Sequence, residues 1–127
     1  MSKRAISSED APKAVGPYSQ AIVAGGFVFT SGQIPLDPRT GKLIESADVA
    51  DHVRRVLDNL TAVVTAAGSS LERAVKVTIY LANMADFAEV NRAYAAYFPG
   101  TPPARSTVQV AALPANARVE IELVALA

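Results

Sequence analysis

Residues 74–100, AVKVTIYLANMADFAEVNRAYAAYFPG, change their hydrophobic period once, and that change decides the fold class. In AVKVTIYL, Val75, Val77, Ile79 and Leu81 alternate with Lys76, Thr78 and Tyr80, the period of two expected of a strand covered on one face. Asn83 then has the chemistry of an N-cap, with Asp86 in the first turn. The spacing beyond it predicts a helix to about Phe98 that buries Phe87, Val90, Tyr94 and Tyr97 and ends at Pro99-Gly100.

Upstream, apolar Ala50, Val53, Leu57, Leu60, Val64 and Ala67 recur at three- and four-residue spacing, with Val56 and Val63 widening the stripe. This predicts a helix from Asp48 to Ala67, closed by Gly68 as the residue after its C-cap. AIVAGGFVFTSGQI, residues 21–34, reads as two short strands joined at Gly25-Gly26, and KRAIS near the N-terminus as a short strand before them. Downstream, strands are expected near 104–112 and 118–126 around the turn-forming LPANA. The order β-β-β-α-β-α-β-β describes an α+β two-layer sandwich with a mixed sheet of about six strands, one domain over residues 1–127.

Two helices ~10 Å across cover little more than one face of six strands that span roughly 29 Å. The other face must meet water or another subunit. Lys76, Thr78 and Tyr80 fall on it if the valines face the helices, and such a mixture of apolar and polar groups suits a wet interface with pockets.

Composition narrows the chemistry. Twelve basic and twelve acidic side chains cancel, so no global field draws the chain to nucleic acid or to an anionic membrane. With no cysteine and one histidine, disulfides, thiolate nucleophiles and histidine-rich metal sites are excluded. His52 falls on the polar side of the first helix near Asp48, Asp51, Arg54 and Arg55 and reads as a surface residue. The N-terminal segment has basic residues but no apolar core of a secretory signal, and no run approaches the ~20 apolar residues of a membrane span. A cytoplasmic protein is the expectation.

In PARSTVQVAALPANARVEIE, residues 103–122, Arg105, Thr107 and Gln109 share one face of a strand, and Glu120 and Glu122 share one face of the next. If these strands are neighbours, Arg105 and Glu120 can both lie on the face the helices leave open. Spacing leaves two readings: solvated charges worth ~0.2–1 kcal/mol as an interstrand pair, or a guanidinium fork for a ligand carboxylate with Glu120 accepting a proton or orienting water.

APKAVGPYSQA at 11–21, TSGQIPLDPRTGKL at 30–43, FAEVNRAYAAYF at 87–98 and residues 103–122, in that order, resemble the RidA/YjgF family of reactive intermediate deaminases. The resemblance covers nearly the whole chain. It implies a chorismate-mutase-like fold assembled as a homotrimer with clefts between subunits, and hydrolysis of 2-iminobutanoate and 2-iminopropanoate with no metal or organic cofactor. It also implies that Arg105 grips the substrate carboxylate, that Glu120 holds the hydrolytic water, and that Tyr18, Ser31, Gly32 and Asn91 line or shape the cleft. Thr107 stands where many family members carry cysteine, which argues against an essential nucleophile there. Without the motif, Tyr18 reads as the cap of a hydrophobic cluster, Asn91 as an ordinary polar helix position, and Ser31-Gly32 as strand-end turn chemistry. The partner expected is a small 2-imino or 2-oxo carboxylate; a non-catalytic carboxylate binder and an endoribonuclease are the competing readings.

Overall fold

Gly25 and Gly26, at φ 59° and 82°, form a two-residue turn that only glycine adopts without strain. Across it β2 (Ala21–Ala24) pairs antiparallel with β3 (Phe27–Thr30), and β1 (Arg4–Ile6) pairs with the outer side of β2. The computed structural model describes residues 2–127. Its first helix, α1 (Val49–Ala66), begins where the Asp48 side chain accepts from the Ala50 amide at 3.0 Å and ends before Gly68 at φ 83°. The apolar stripe does what its spacing predicts: Val53, Val56, Leu57, Leu60, Val63 and Val64 are buried completely.

The remaining elements are β4 (Ala74–Leu81), α2 (Phe87–Ala95), β5 (Ala104–Gln109) and β6 (Val119–Leu126). They complete one sheet of order β1-β2-β3-β6-β4-β5. All pairs are antiparallel except β4 with β5, which α2 joins as a crossover, so the sheet is mixed. Val77, Ile79 and Leu81 of β4 and Val119, Ile121 and Leu123 of β6 meet the helices in the core. The opposite face carries Lys76, Thr78 and Tyr80, in register with Val124, Glu122 and Glu120 of β6. At its other end Phe27 and Phe29 stand beside Leu126 and Val124. This half of the open face is apolar, and Phe27, Phe29 and Leu126 are exposed.

Three expectations are corrected, those for Val75, Phe87 and His52, and the condition under which Arg105 and Glu120 could share a face is not met. β5 and β6 are not neighbours, because β4 lies between them. Arg105 does not share the open face with Glu120: in the parallel pairing Arg105, Thr107 and Gln109 stand in register with Val77, Ile79 and Leu81, hence on the helix face. Alternation misled because β5 is an edge strand whose exposed Val108 turns away from the core. A bulge between Ala74 and Lys76 buries Ala74 and puts Val75 at the surface. Phe87 is 38% exposed because it opens α2 at the rim of the sheet, and the helix ends at Ala95, short of the predicted boundary. His52 is buried, and its Nε2–H donates to the Ser46 carbonyl at 2.8 Å because the segment entering α1 folds back over it.

The bulge yields a contrast. Ile79→Ala loses about 2–5 kcal/mol of unfolding free energy, the cost of emptying a fully buried site, whereas Val75→Ala stays within about 0.5 kcal/mol. Urea unfolding at one protein concentration measures both; equal losses would place Val75 in the core.

Candidate functional site

The side chains singled out in the sequence form two groups. The first is built on β5 and α2. Tyr94, on the sheet-facing side of α2, lies with its ring 4.9 Å from the Arg105 guanidinium carbon, and the Phe87 ring lies 5.8 Å from it. Stacking on two aromatic faces fixes the plane of the guanidinium and explains why Phe87 stays at the rim. Among the described residues Arg105 forms no ion pair, unlike Arg39, Arg54 and Arg118. Its donors are free for an incoming anion. Asn91, Tyr94, Phe98, Pro102, Pro103 and Arg105 line a cavity of about 380 Å³. Next along β5, the Thr107 hydroxyl is enclosed without a hydrogen-bond partner, as is the Tyr94 hydroxyl. Burial pushes that Tyr94 phenol up, and the nearby Arg105 charge opposes the shift.

The second group lies on the open face, around Glu120 of β6. Tyr18, Gly32, Pro114, Lys13 and Glu120 share a cavity of about 120 Å³. Gly32 is required by contact: a Cβ there would stand 2.7 Å from the Glu120 carboxyl carbon. The Ser31 hydroxyl donates to the Ser19 carbonyl at 2.6 Å and its amide to the Gln20 carbonyl at 2.9 Å, so Ser31 ties the wall carrying Tyr18 to the strand end. Tyr18 is half exposed, its hydroxyl accepting from the Val15 amide; it is no cap on the core. Burial first, and then the Glu122 charge, raises the Glu120 carboxyl above its ordinary range.

Sequence reasoning missed three contributors. Gln20 is buried and pins the N-terminal segment, donating to the Pro12 and Ser8 carbonyls and accepting from the Ser8 amide. Tyr80 donates to Glu122 beside Glu120. Ala115 and Asn116, at φ 57° and 58°, fold the Pro114 wall of the cleft through left-handed geometry that side chains resist. Their traces were partial: Tyr80 alternates outward on β4, Glu122 alternates in phase with Glu120, and LPANA reads as a turn.

One chain therefore brings Tyr18, Ser31, Gly32 and Glu120 together, and separately Arg105, Asn91 and Thr107. The two groups are on opposite faces of the sheet and two strands apart. A larger recess between the helices, about 580 Å³, is lined by Asp48, Arg54, Glu89 and Arg92 and holds none of these residues. Among the described residues no helix is long and apolar enough to cross a membrane.

Gly32→Ala is expected to push the Glu120 carboxylate out of its cleft while the backbone stays in place, because the atom it strikes is the end of a flexible side chain. A crystal structure of the variant reads this; an unmoved Glu120 would show that the glycine serves another purpose.

A family model described as Endoribonuclease L-PSP matches residues 8–127. Reactive Intermediate Deaminase A, chloroplastic, of Arabidopsis thaliana is 52% identical over 97% of this chain and 65% of that one. The 2-iminobutanoate/2-iminopropanoate deaminase of Escherichia coli K12 is 46% identical over 97% of each. Among solved structures, YyfA of the conserved Rid family from Yersinia pestis superposes with a TM-score of 0.95 at 48% identity, covering 99% of this chain and 100% of that one. Escherichia coli TdcF with bound serine gives 0.90 at 42% identity and 98% of each. With sequence and fold in agreement, the chain belongs to the RidA/YjgF family of Rid-type proteins.

Proposed function

We propose that this protein is a cytoplasmic homotrimer that hydrolyses 2-imino acids such as 2-iminopropanoate and 2-iminobutanoate to 2-oxo acids and ammonia, at sites each shared by two subunits. The observation that carries the proposal is the separation of a stacked, unpaired Arg105 on one face from a burial-raised Glu120 on the other. Neither is a complete site. A second copy seated on the open face supplies what each lacks, and the exposed apolar half of that face, with Phe27, Phe29 and Leu126, gives it a surface to bury. The relatives named as deaminases support the chemistry, and a carboxylate-bearing amino acid bound to TdcF supports the anion class.

The substrate carboxylate accepts two parallel hydrogen bonds from Arg105, which places the C=N carbon over the cleft of the partner subunit. That cleft, about 120 Å³, has room for a few solvent molecules at ~30 Å³ each. A water held by Glu120 attacks the carbon, the C=N electron pair moves to nitrogen, and Glu120 takes the proton released by the water. Glu120 returns this proton to the nitrogen and then carries the carbinol O–H proton to it, so that the O–H electron pair forms C=O as the C–N bond breaks and ammonia leaves the 2-oxo acid. A carboxyl raised by burial is a stronger base once ionised, which suits the task. Thr107 and Asn91 border the carboxylate end, and Tyr18, Ser31 and Gly32 shape the water end.

Binding without turnover would need Arg105 alone. The raised Glu120, held against Gly32 in its own cleft, favours catalysis over that reading. The endoribonuclease description of the family model meets a chain of zero net charge, with twelve basic and twelve acidic residues, where phosphate binding recruits several cations.

The test generates the imine in situ with an amino-acid oxidase or threonine dehydratase and traps it with semicarbazide. The protein is expected to lower the trapped product; unchanged trapping would end the assignment for these substrates. Arg105→Ala should lose about 10³-fold or more in kcat/KM by removing the positioning anchor, and Glu120→Gln about 10²-fold with ligand binding retained.

A further inference from the structure

Glu120 does not stand alone on the open face. Glu122 follows it two residues along β6 on the same side, and Tyr80 of β4, which is in register with Glu120, reaches diagonally to donate its hydroxyl to Glu122. This bond spans 42 residues of sequence and has no part in the core, which lies on the other face. Two carboxylates side by side on one strand face repel, and the Tyr80 hydrogen bond holds the second beside the first against that repulsion.

We propose that Tyr80 and Glu122 are positioning residues for the deaminase reaction: the Tyr80 hydroxyl holds the Glu122 side chain in place beside Glu120, and the two carboxylates act as a dyad that sets where Glu120 can accept a proton. The proposal rests on the catalytic reading of Glu120 given above. Like charges on one strand face cannot both ionise as easily as either alone, so a carboxylate fixed there raises the affinity of Glu120 for a proton. The phenol is suited to the donor role because the hydrogen bond to Glu122, reinforced by burial, holds it protonated up to about 12. The other groups facing this cluster do not neutralise it. Lys76, further along the same face of β4, hydrogen-bonds Ser106 at 3.1 Å, while Lys13 and Tyr18 from the N-terminal segment line the opposite side of the cleft. Arg105 of the partner subunit would approach from beyond the substrate.

The two variants move the profile in one direction, by different amounts. Glu122→Gln removes a negative charge roughly 7 Å away along the strand, so Glu120 ionises at lower pH and the acidic limb of the kcat/KM profile moves down. On the acidic side, its rate relative to its own plateau should exceed the parent's by about three- to sevenfold, as expected for one unit charge at that separation in a half-wet site. Tyr80→Phe frees the Glu122 side chain to swing away from Glu120, so the limb moves down as well, by less than in Glu122→Gln. A structural role would leave both limbs in place. The carboxyl ¹³C titration of Glu120 in the substrate-free protein should shift down in both variants, further in Glu122→Gln, which separates this proposal from the catalytic one. A parent protein without turnover would end the catalytic reading, whereas unmoved titrations, or an upward shift in either variant, would overturn the dyad. If Glu122→Gln does not assemble, Tyr80→Phe decides the matter alone: a downward shift supports the dyad and an unmoved or raised titration overturns it.

Discussion

The parallel pairing of β5 with β4 is the constraint on which the candidate site depends. Because β4 turns Val77, Ile79 and Leu81 into the core, its neighbour in register must turn Arg105, Thr107 and Gln109 the same way. An arginine is tolerated on that side because β5 is the sheet edge, where Tyr94 and Phe87 cover the guanidinium with ring faces and leave its donors free. The antiparallel pairing of β6 with β4 works the other way and turns Glu120 outward with Tyr80. Arg105 and Glu120 are thereby fixed on opposite surfaces of one chain. In the proposed account, association of subunits brings them to one substrate, so assembly and catalysis have a single structural cause.

Around Glu120 the local structure is arranged at close quarters. Gly32 gives up its side chain to the carboxylate, Ser31 and Gln20 tie the N-terminal wall in place, and left-handed Ala115 and Asn116 shape the Pro114 wall. These features add little to the core, which α1, β4 and β6 build from Val, Leu and Ile side chains. They are consistent with a cleft whose geometry matters for more than stability.

Much of the fold was legible because it depends on short-range patterns. The Gly25-Gly26 turn, the α1 stripe with Asp48 and Gly68 at its ends, and the alternation of β6 each follow from local geometry. What failed was long-range or local to an exception. No pattern within β5 reveals which neighbour it pairs with, and its exposed Val108 points an amphipathicity argument the wrong way. The bulge at Val75 breaks an alternation that appears regular in the sequence, and His52 is buried by a loop whose course has no periodicity. The candidate residues were legible from the family motifs, but their division into two groups was not, because it rests on strand order. Tyr80 was readable only as an outward-facing residue, since its bond to Glu122 spans two strands.

Subunit complementation tests the shared site most directly. Arg105→Ala and Glu120→Gln chains, each nearly inactive alone, are co-expressed with different tags so that they assemble together. If each site takes its arginine from one subunit and its glutamate from the next, random mixing restores about one quarter of the sites to the parental pair. The account predicts recovery of imine hydrolysis to about that fraction. Mixed oligomers no more active than the separate variants would contradict it and return both residues to a single chain.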